Sequence, residues 1–114
     1  MARFNYVELP VADTGRARAF YGSAFGWDFA EFGPTYAATT SGDTDIGLQA
    51  DPAEKTAALL PVIEVADIDA ALAAVTAAGG VITAPVFDFP GGKRFHFRDL
   101  DGHELAVTRS SPQH

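Results

Sequence analysis

The sequence contains no cysteine and little positive charge. Its 114 residues include 8 Lys and Arg against 15 Asp and Glu, which gives a formal net charge of −7. Without cysteine the chain has no disulfide, no thiolate metal site and no cysteine nucleophile. The acidic balance argues against nucleic-acid binding, which needs clustered Lys and Arg, and is compatible with a cationic small molecule.

Long apolar runs are also missing. No stretch of about 18 apolar residues is present to span a bilayer. The first residues, "MARFNYVELP", enter a strand pattern without the apolar core of a signal peptide. We therefore expect no membrane association and a cytoplasmic location. The composition, 47% hydrophobic and 20% charged, is typical of a globular protein, and the length predicts a single domain over residues 1–114.

Two segments of the chain share one pattern. The first, "YVELPVADTGRARAFYGSAFGW", begins at Tyr6, and the second, "LPVIEVADIDAALAAVTAAGGV", begins at Leu60. When Asp13 is aligned with Asp67, the apolar strand positions and the glycine after the helix also coincide. Each copy therefore predicts a strand, an Asp cap, a helix and a glycine stop.

The residues of each copy explain this prediction. Asp13 and Asp67 can accept hydrogen bonds from the amides of a first helical turn, and Gly26 and Gly79-Gly80 can end the helices in a left-handed conformation. Each helix also carries an apolar stripe with helical spacing, of the kind that packs on a core. The stripes are Ala17, Phe20, Tyr21, Ala24 and Phe25 in the first helix, and Ile68, Ala71, Leu72 and Val75 in the second.

Three short extended runs follow each helix. The predicted strands are residues 27–32, 35–40 and 45–49 in the first half, and 81–86, 94–98 and 104–108 in the second. This predicts an α+β fold of two βαβββ modules in tandem, at residues 4–50 and 60–109, with a linker at 51–59. Because each half leaves one strand face bare, we expect the modules to form a concave, mainly antiparallel sheet cup with the helices outside.

This arrangement, with "VELPVAD…AFYGSAFGW" and "FRDLDG", resembles the vicinal oxygen chelate superfamily of glyoxalases, bleomycin-resistance proteins and extradiol dioxygenases. The resemblance extends from about Phe4 to Thr108. It implies the fold, a small-molecule ligand and a homodimer. It is a poor guide to the reaction, because the superfamily carries very different chemistries on one scaffold.

The resemblance also implies where a metal would bind. The metalloenzymes of the superfamily hold one divalent metal with His or Glu from the first and last strands of each half. The corresponding residues here are Tyr6, Gly47, Leu60 and Ala106. Neutral tyrosine is a poor ligand and the other three offer no donor side chain. We therefore expect the fold without its metal and without another cofactor.

Other side chains could replace that site. Strand alternation places Glu8, His96 and Glu104 on the cup side of their strands. They could form a different metal site, or act as metal-free acid-base catalysts with a glutamate as base and His96 as proton shuttle. Ion pairs of Glu8 or Glu104 with Arg94 or Arg98 are the commoner outcome on such a strand face.

A second set of residues is expected to line a ligand pocket: Tyr6, Phe32, Tyr36, Leu60, Val62, Glu64 and Arg94. Two functions of different classes stay open. One is a metal-free binding protein that sequesters a cationic or aromatic ligand. The other is a glyoxalase- or dioxygenase-like enzyme that uses Glu8, His96 and Glu104. The sequence favours binding.

Overall fold

The computed structural model describes residues 2–41, 43–89 and 91–110, and the chain divides into two compact units. The N-terminal unit is Tyr6–Leu60, and the C-terminal unit runs from Pro61 onward and includes the chain up to Asn5. Both halves have the order strand, helix and three strands, which confirms the α+β class and the βαβββ repeat. The single domain and its module boundaries stay predictions. No helix in the described ranges is long and apolar enough to cross a membrane.

The elements of the N-terminal unit are β1 Arg3–Pro10, α1 Thr14–Phe25, β2 Ala30–Glu31, β3 Tyr36–Ala38 and β4 Asp45–Gln49. Its strands lie in the order β2-β3-β4-β1, so β4 is the strand between β3 and β1 and is called the central strand below. It runs antiparallel to β3 and parallel to β1, so that Gly47 pairs with Ala38 on one side and with Glu8 on the other.

Helix α1 begins and ends where the sequence predicts. The Asp13 carboxylate accepts a hydrogen bond from the Arg16 amide at 2.8 Å, and so satisfies one free donor of the first turn. Gly26 ends the helix with φ of 72°, in the left-handed region that favours glycine.

The apolar stripe of α1 is only partly covered, with Ala17 and Tyr21 half-buried. Phe20 is 62% exposed and Phe25 is 61% exposed, and Thr14 is the buried residue of the helix. The aromatic rings pack on one another instead. Tyr21 and Phe25 each stack on Trp27, with ring centroids 5.8 and 5.0 Å apart.

The strand predicted at residues 27–32 is also shorter in the structure. Only Ala30–Glu31 pairs with β3, and a turn follows at once. The Phe32 amide donates to the Tyr36 carbonyl at 2.9 Å across Gly33, whose φ is 92°. Because Trp27 stacks on rings of α1 and the turn begins at Phe32, only Ala30 and Glu31 pair with β3.

The elements of the C-terminal unit are β5 Leu60–Glu64, α2 Ile68–Ala77, β6 Val81–Phe89, β7 Gly92–Arg98 and β8 Glu104–Ser110. Its strands lie in the order β5-β8-β7-β6, with β5 parallel to β8 and the other pairs antiparallel. This mainly antiparallel pairing agrees with the prediction. Pro90, in the predicted turn "FPGGK", lies outside the described residues.

The core of the C-terminal unit confirms the stripe of α2. Ile68 is 3% exposed and packs with the buried Phe95, Phe97 and Val107. The other stripe residues, Ala71, Leu72 and Val75, pack against this cluster. Because side chains alternate along β7, the burial of Phe95 and Phe97 places Arg94, His96 and Arg98 on the opposite face.

The turn before β8 is held by one carboxylate. Oδ1 of Asp99 accepts hydrogen bonds from the amides of Asp101 and His103, both at 2.9 Å. The His103 amide is the main reason that the pKa of Asp99 lies below its usual value, and the amides of Asp101 and Gly102 add to the effect. The "DLDG" motif is therefore a hydrogen-bonded turn.

Asp13→Ala is expected to lower the free energy of unfolding by about 1 kcal/mol, because the first turn of α1 loses its cap. Urea denaturation measures the change. Asp13→Asn keeps an acceptor and should lose less. Asp28→Ala, at an exposed position just after the helix, is the matched control. An equal loss in both alanine variants would show that charge, and not capping, is responsible.

Candidate functional site

A hydrogen-bonded cluster of two phenols and a carboxylate lies over the centre of the N-terminal sheet. Tyr36 donates its hydroxyl proton to Oε2 of Glu8 at 3.3 Å, and the hydroxyls of Tyr6 and Tyr36 are hydrogen-bonded to each other. Because a phenol has only one proton and Tyr36 gives its own to Glu8, Tyr6 is the donor to Tyr36. The hydrogen bonds therefore run from Tyr6 through Tyr36 to the carboxylate.

The absence of a side chain at Gly47 makes this cluster possible. Gly47 lies on the central strand, while Tyr6 and Tyr36 come from the strands on either side. A Cβ atom at position 47 would overlap both hydroxyl oxygens and lie 2.7 Å from Cζ of Tyr6. The two phenols thus fill the space that any other residue at 47 would need.

Glu8 is the most deeply buried ionisable residue of β1, with 6% exposure. A buried carboxylate needs hydrogen-bond donors or an opposite charge, because its transfer from water is costly. The Tyr36 hydroxyl supplies one such donor. The site therefore combines negative charge with aromatic surface, a combination that suits a cationic or hydrogen-bond-donating ligand.

The residues that the resemblance assigns to the metal positions do not fit a metal. Leu60 and Ala106 are fully buried aliphatic residues with no donor atom. Gly47 has no donor, and its side-chain space is filled by the hydroxyls of Tyr6 and Tyr36. Divalent metals of catalytic sites need imidazole or carboxylate ligands, so this set cannot hold one.

A second chain of hydrogen bonds crosses the C-terminal sheet. Nε of Arg94 donates to Nε2 of His96 at 3.1 Å, and Nδ1 of His96 lies 3.1 Å from Oε2 of Glu104. The same Glu104 oxygen accepts from the Thr83 hydroxyl at 3.2 Å. Glu104 lies diagonally from His96 because His96 pairs with Ala106 in the β7–β8 register.

These partners determine the tautomer of His96. Arginine Nε can only donate, so Nε2 of His96 must accept and carries no proton. The proton is then on Nδ1 and points to Glu104. In this arrangement Nε2, the nitrogen that a proton shuttle would use, is already engaged by Arg94.

Of the predicted trio, His96 and Glu104 are in contact in the C-terminal unit. Glu8 lies in the N-terminal unit, where Tyr36 donates to it. Among residues 2–41, 43–89 and 91–110, no group of three or more His, Asp or Glu side chains could hold a metal ion. The partner of Glu104 is His96. An ion pair of Glu8 or Glu104 with Arg94 or Arg98 stays a prediction.

The other predicted pocket residues differ in accessibility. Phe32 is 57% exposed, and its ring centroid is 6.5 Å from that of Tyr36. Val62 is buried, like Leu60. Glu64 forms an ion pair with Arg3 at 3.6 Å. Phe32 is therefore the residue of this group that extends the tyrosine cluster toward solvent.

Sequence reasoning missed Thr83. Its contact with Glu104 depends on β6, whose pairing with β7 shifts register between Ile82 and Ala84. A β-bulge of this kind has no clear sequence signal, so the face of Thr83 could not be read from alternation. Gly47 was identified as a metal position, but its steric role needs the coordinates of both tyrosines.

Comparison with known proteins identifies the family. The model of the Glyoxalase/Bleomycin resistance protein/Dioxygenase superfamily matches residues 3–107. Two curated relatives, from Mycobacterium bovis and Mycobacterium tuberculosis, are both named as the glyoxylase CFP32. Each is 30% identical to this chain over 103 residues, or 82% of this chain. The chain spans 40% of the length of these curated relatives. The chain belongs to this superfamily.

Solved structures show the same fold. Methylmalonyl-CoA epimerase of Streptomyces coelicolor superposes with a TM-score of 0.78 at 15% identity, over 96% of this chain and 98% of its own. The Mn(II)-bound glyoxalase of Novosphingobium aromaticivorans gives 0.71 at 21% identity, over 96% of this chain and 40% of its own. At these identities the likeness establishes the fold and leaves the activity open.

Gly47→Ala is expected to cost about 1–3 kcal/mol of stability, because the new methyl group overlaps the two phenol hydroxyls. Urea denaturation would measure the loss. Gly15→Ala, whose Cβ would be 3.5 Å from Asp13 Oδ2, is the control and should be neutral or stabilising. Adding Tyr6→Phe and Tyr36→Phe should recover part of the loss. A fully stable Gly47→Ala would contradict the steric interpretation.

His96 is expected to be the Nδ1–H tautomer, because Arg94 donates to Nε2. Long-range ¹H–¹⁵N NMR at about pH 8.5, where an ordinary imidazole is neutral, distinguishes the two nitrogens. The exposed His103 provides the spectrum of a solvated imidazole in the same sample. Arg94→Leu should release Nε2 and change the His96 signals toward those of His103. A protonated Nε2 in the unsubstituted protein would contradict the assignment.

Proposed function

We propose that this member of the superfamily is a small-molecule-binding protein that works without a divalent metal and holds a cationic or aromatic ligand at the tyrosine–glutamate cluster. The observation that carries the proposal is the closure of the Tyr6 and Tyr36 hydroxyls over Gly47. This closure occupies one metal position with phenols and leaves Glu8 as the charged group. A site of this chemistry binds by charge and ring contact.

The chemistry of the cluster supports a cation. Glu8 has a carboxylate at 6% exposure, where a ligand charge would interact through a medium of lower polarity than water. Tyr36 and the exposed Phe32 supply ring surface beside it, with centroids 6.5 Å apart. Aromatic faces attract cations and also stack on flat ligands. The net charge of −7 acts in the same direction at longer range.

The second candidate is an enzyme that uses acid-base groups, and the contact between His96 and Glu104 favours it. A histidine oriented by a carboxylate is a common arrangement for proton transfer. Two of the similar solved structures are, by their names, enzymes: an epimerase and a glyoxalase. The hydrogen bond from Arg94 to Nε2 of His96 argues against the enzyme hypothesis, because His96 would have to lose this partner before it could accept a proton.

We also propose that the protein is a homodimer. Phe25 and Trp27 expose 61% and 43% of their surface at the C-terminal end of α1, away from the β1–α1 junction. Clustered exposed aromatics of this kind are typical of protein interfaces. The cytoplasmic location stays a prediction from the sequence.

The binding proposal is tested by fluorescence titration with proflavine, a flat cation, on protein treated with EDTA. Proflavine should bind, and acridine, which is uncharged at about pH 8, should bind more weakly. Glu8→Gln should weaken proflavine about tenfold, because a charge-assisted contact is lost, and should leave acridine nearly unchanged. Added Zn²⁺ should not strengthen binding.

Glu54→Gln, at an exposed position in the same unit, is the charge-matched control. It should leave both affinities unchanged. The melting temperature of each variant separates binding from folding. If Glu8→Gln lowers stability as much as it lowers affinity, Glu8 is structural and the proposal fails. A requirement for Zn²⁺, or turnover that depends on His96, would favour the enzyme instead.

A further inference from the structure

A surface cavity that is open to solvent lies at the junction of β1 and α1 in the N-terminal unit, and its lining residues are not those of the tyrosine cluster. It has a volume of about 440 Å³, within the range of small-molecule sites. Apolar side chains form most of its wall, and Arg16 and Asp13 are its charged members. The lining residues are Pro10, Val11, Ala12, Asp13, Arg16, Ala17, Phe20 and Tyr21.

Two cations, Arg16 in the wall of this cavity and Lys55 beside it, form no ion pair with any residue that the structure describes. Arg16 is exposed and lines the wall, and Nζ of Lys55 lies 3.2 Å from the carbonyl of Val11, another wall residue. The chain as a whole has a net charge of −7, yet no ion pair in the described ranges neutralises either of these cations. They provide the charge for an anionic ligand.

The acid in the wall is already engaged. Oδ2 of Asp13 accepts from the Arg16 amide at 2.8 Å and caps α1. Its carboxylate is therefore directed at the backbone of the helix, and the Arg16 guanidinium is not its partner. Phe20, with 62% of its surface exposed, packs its ring edge-on against Tyr21 at 5.0 Å between centroids. This pair offers an apolar wall beside the guanidinium.

We propose that this cavity is a second binding site, for a small molecule that joins a carboxylate to an apolar or aromatic body. The carboxylate pairs with the Arg16 guanidinium, which can form two parallel hydrogen bonds with it, and Lys55 adds charge. The body of the ligand lies against Val11, Ala17 and Phe20. Its charge is opposite to that of the ligand proposed for the Glu8 site, so the two sites are distinguishable by ligand charge.

The test is an NMR titration of ¹⁵N-labelled protein with phenylacetate. Phenylacetate should cause saturable shifts of the amides of Val11, Ala12 and Ala17, while the amides of Glu8 and Tyr36 move little. Phenethylamine, of opposite charge, should not shift the cavity amides. The uncharged 2-phenylethanol should bind there about tenfold more weakly than phenylacetate, since it lacks the charge-assisted contact.

Arg16→Gln should weaken phenylacetate about tenfold, and Arg16→Lys should weaken it less. Arg18→Gln removes the same charge from the same helix at a residue that pairs with Glu31 at 2.9 Å, and it should leave the affinity unchanged. If Arg16→Gln and Arg18→Gln lose the same affinity for phenylacetate, the effect is due to overall charge and the proposed site is wrong. The proposal is also wrong if the amide shifts centre on Glu8 and Tyr36, or if no shift is saturable. The three probes on the unsubstituted protein give this answer even if a variant misfolds.

Discussion

The N-terminal site depends on one steric relation, the overlap of two tyrosine hydroxyls with the side-chain space of Gly47. Strand β4 lies between β1 and β3, so side chains from both neighbours can lean over it. With glycine on the central strand the two phenols meet and reach Glu8. Any side chain at 47 would displace them. The hydrogen-bonded cluster therefore requires glycine at position 47.

In the C-terminal unit, the hydrogen bonds among Arg94, His96 and Glu104 depend on core packing and strand register. Its core forms when Phe95 and Phe97 pack under α2, and alternation along β7 then places Arg94 and His96 on the other face. The β7–β8 register brings Glu104 to the imidazole. The apolar core thus fixes the strands that carry these hydrogen-bonded side chains. The geometry orients Arg94 and His96 together, and the donor character of Arg94 determines the state of the ring.

The two helices share a sequence pattern but differ in the burial of their apolar stripes. Both have an Asp cap at the predicted residue and an apolar stripe with the predicted spacing. The stripe of α2 enters the core, whereas Phe20 and Phe25 of α1 remain exposed and stack with their neighbours. Capping is a local interaction within three residues and follows from sequence. Burial depends on what the sheet offers opposite the helix, and small residues such as Ala37 and Ala38 occupy part of it.

The sequence by itself determined the βαβββ repeat, the helix boundaries, the faces of β1 and β7, and the lack of metal-binding side chains at Tyr6, Gly47, Leu60 and Ala106. Each of these rests on residue type and short-range periodicity. Only the tertiary structure decided which polar groups meet. Tyr6 and Tyr36 are 30 residues apart, and Tyr36 and Glu8 are 28 apart. Such partners are selected by strand order, register and bulges, because these bring distant residues within hydrogen-bond distance, and no local pattern records them.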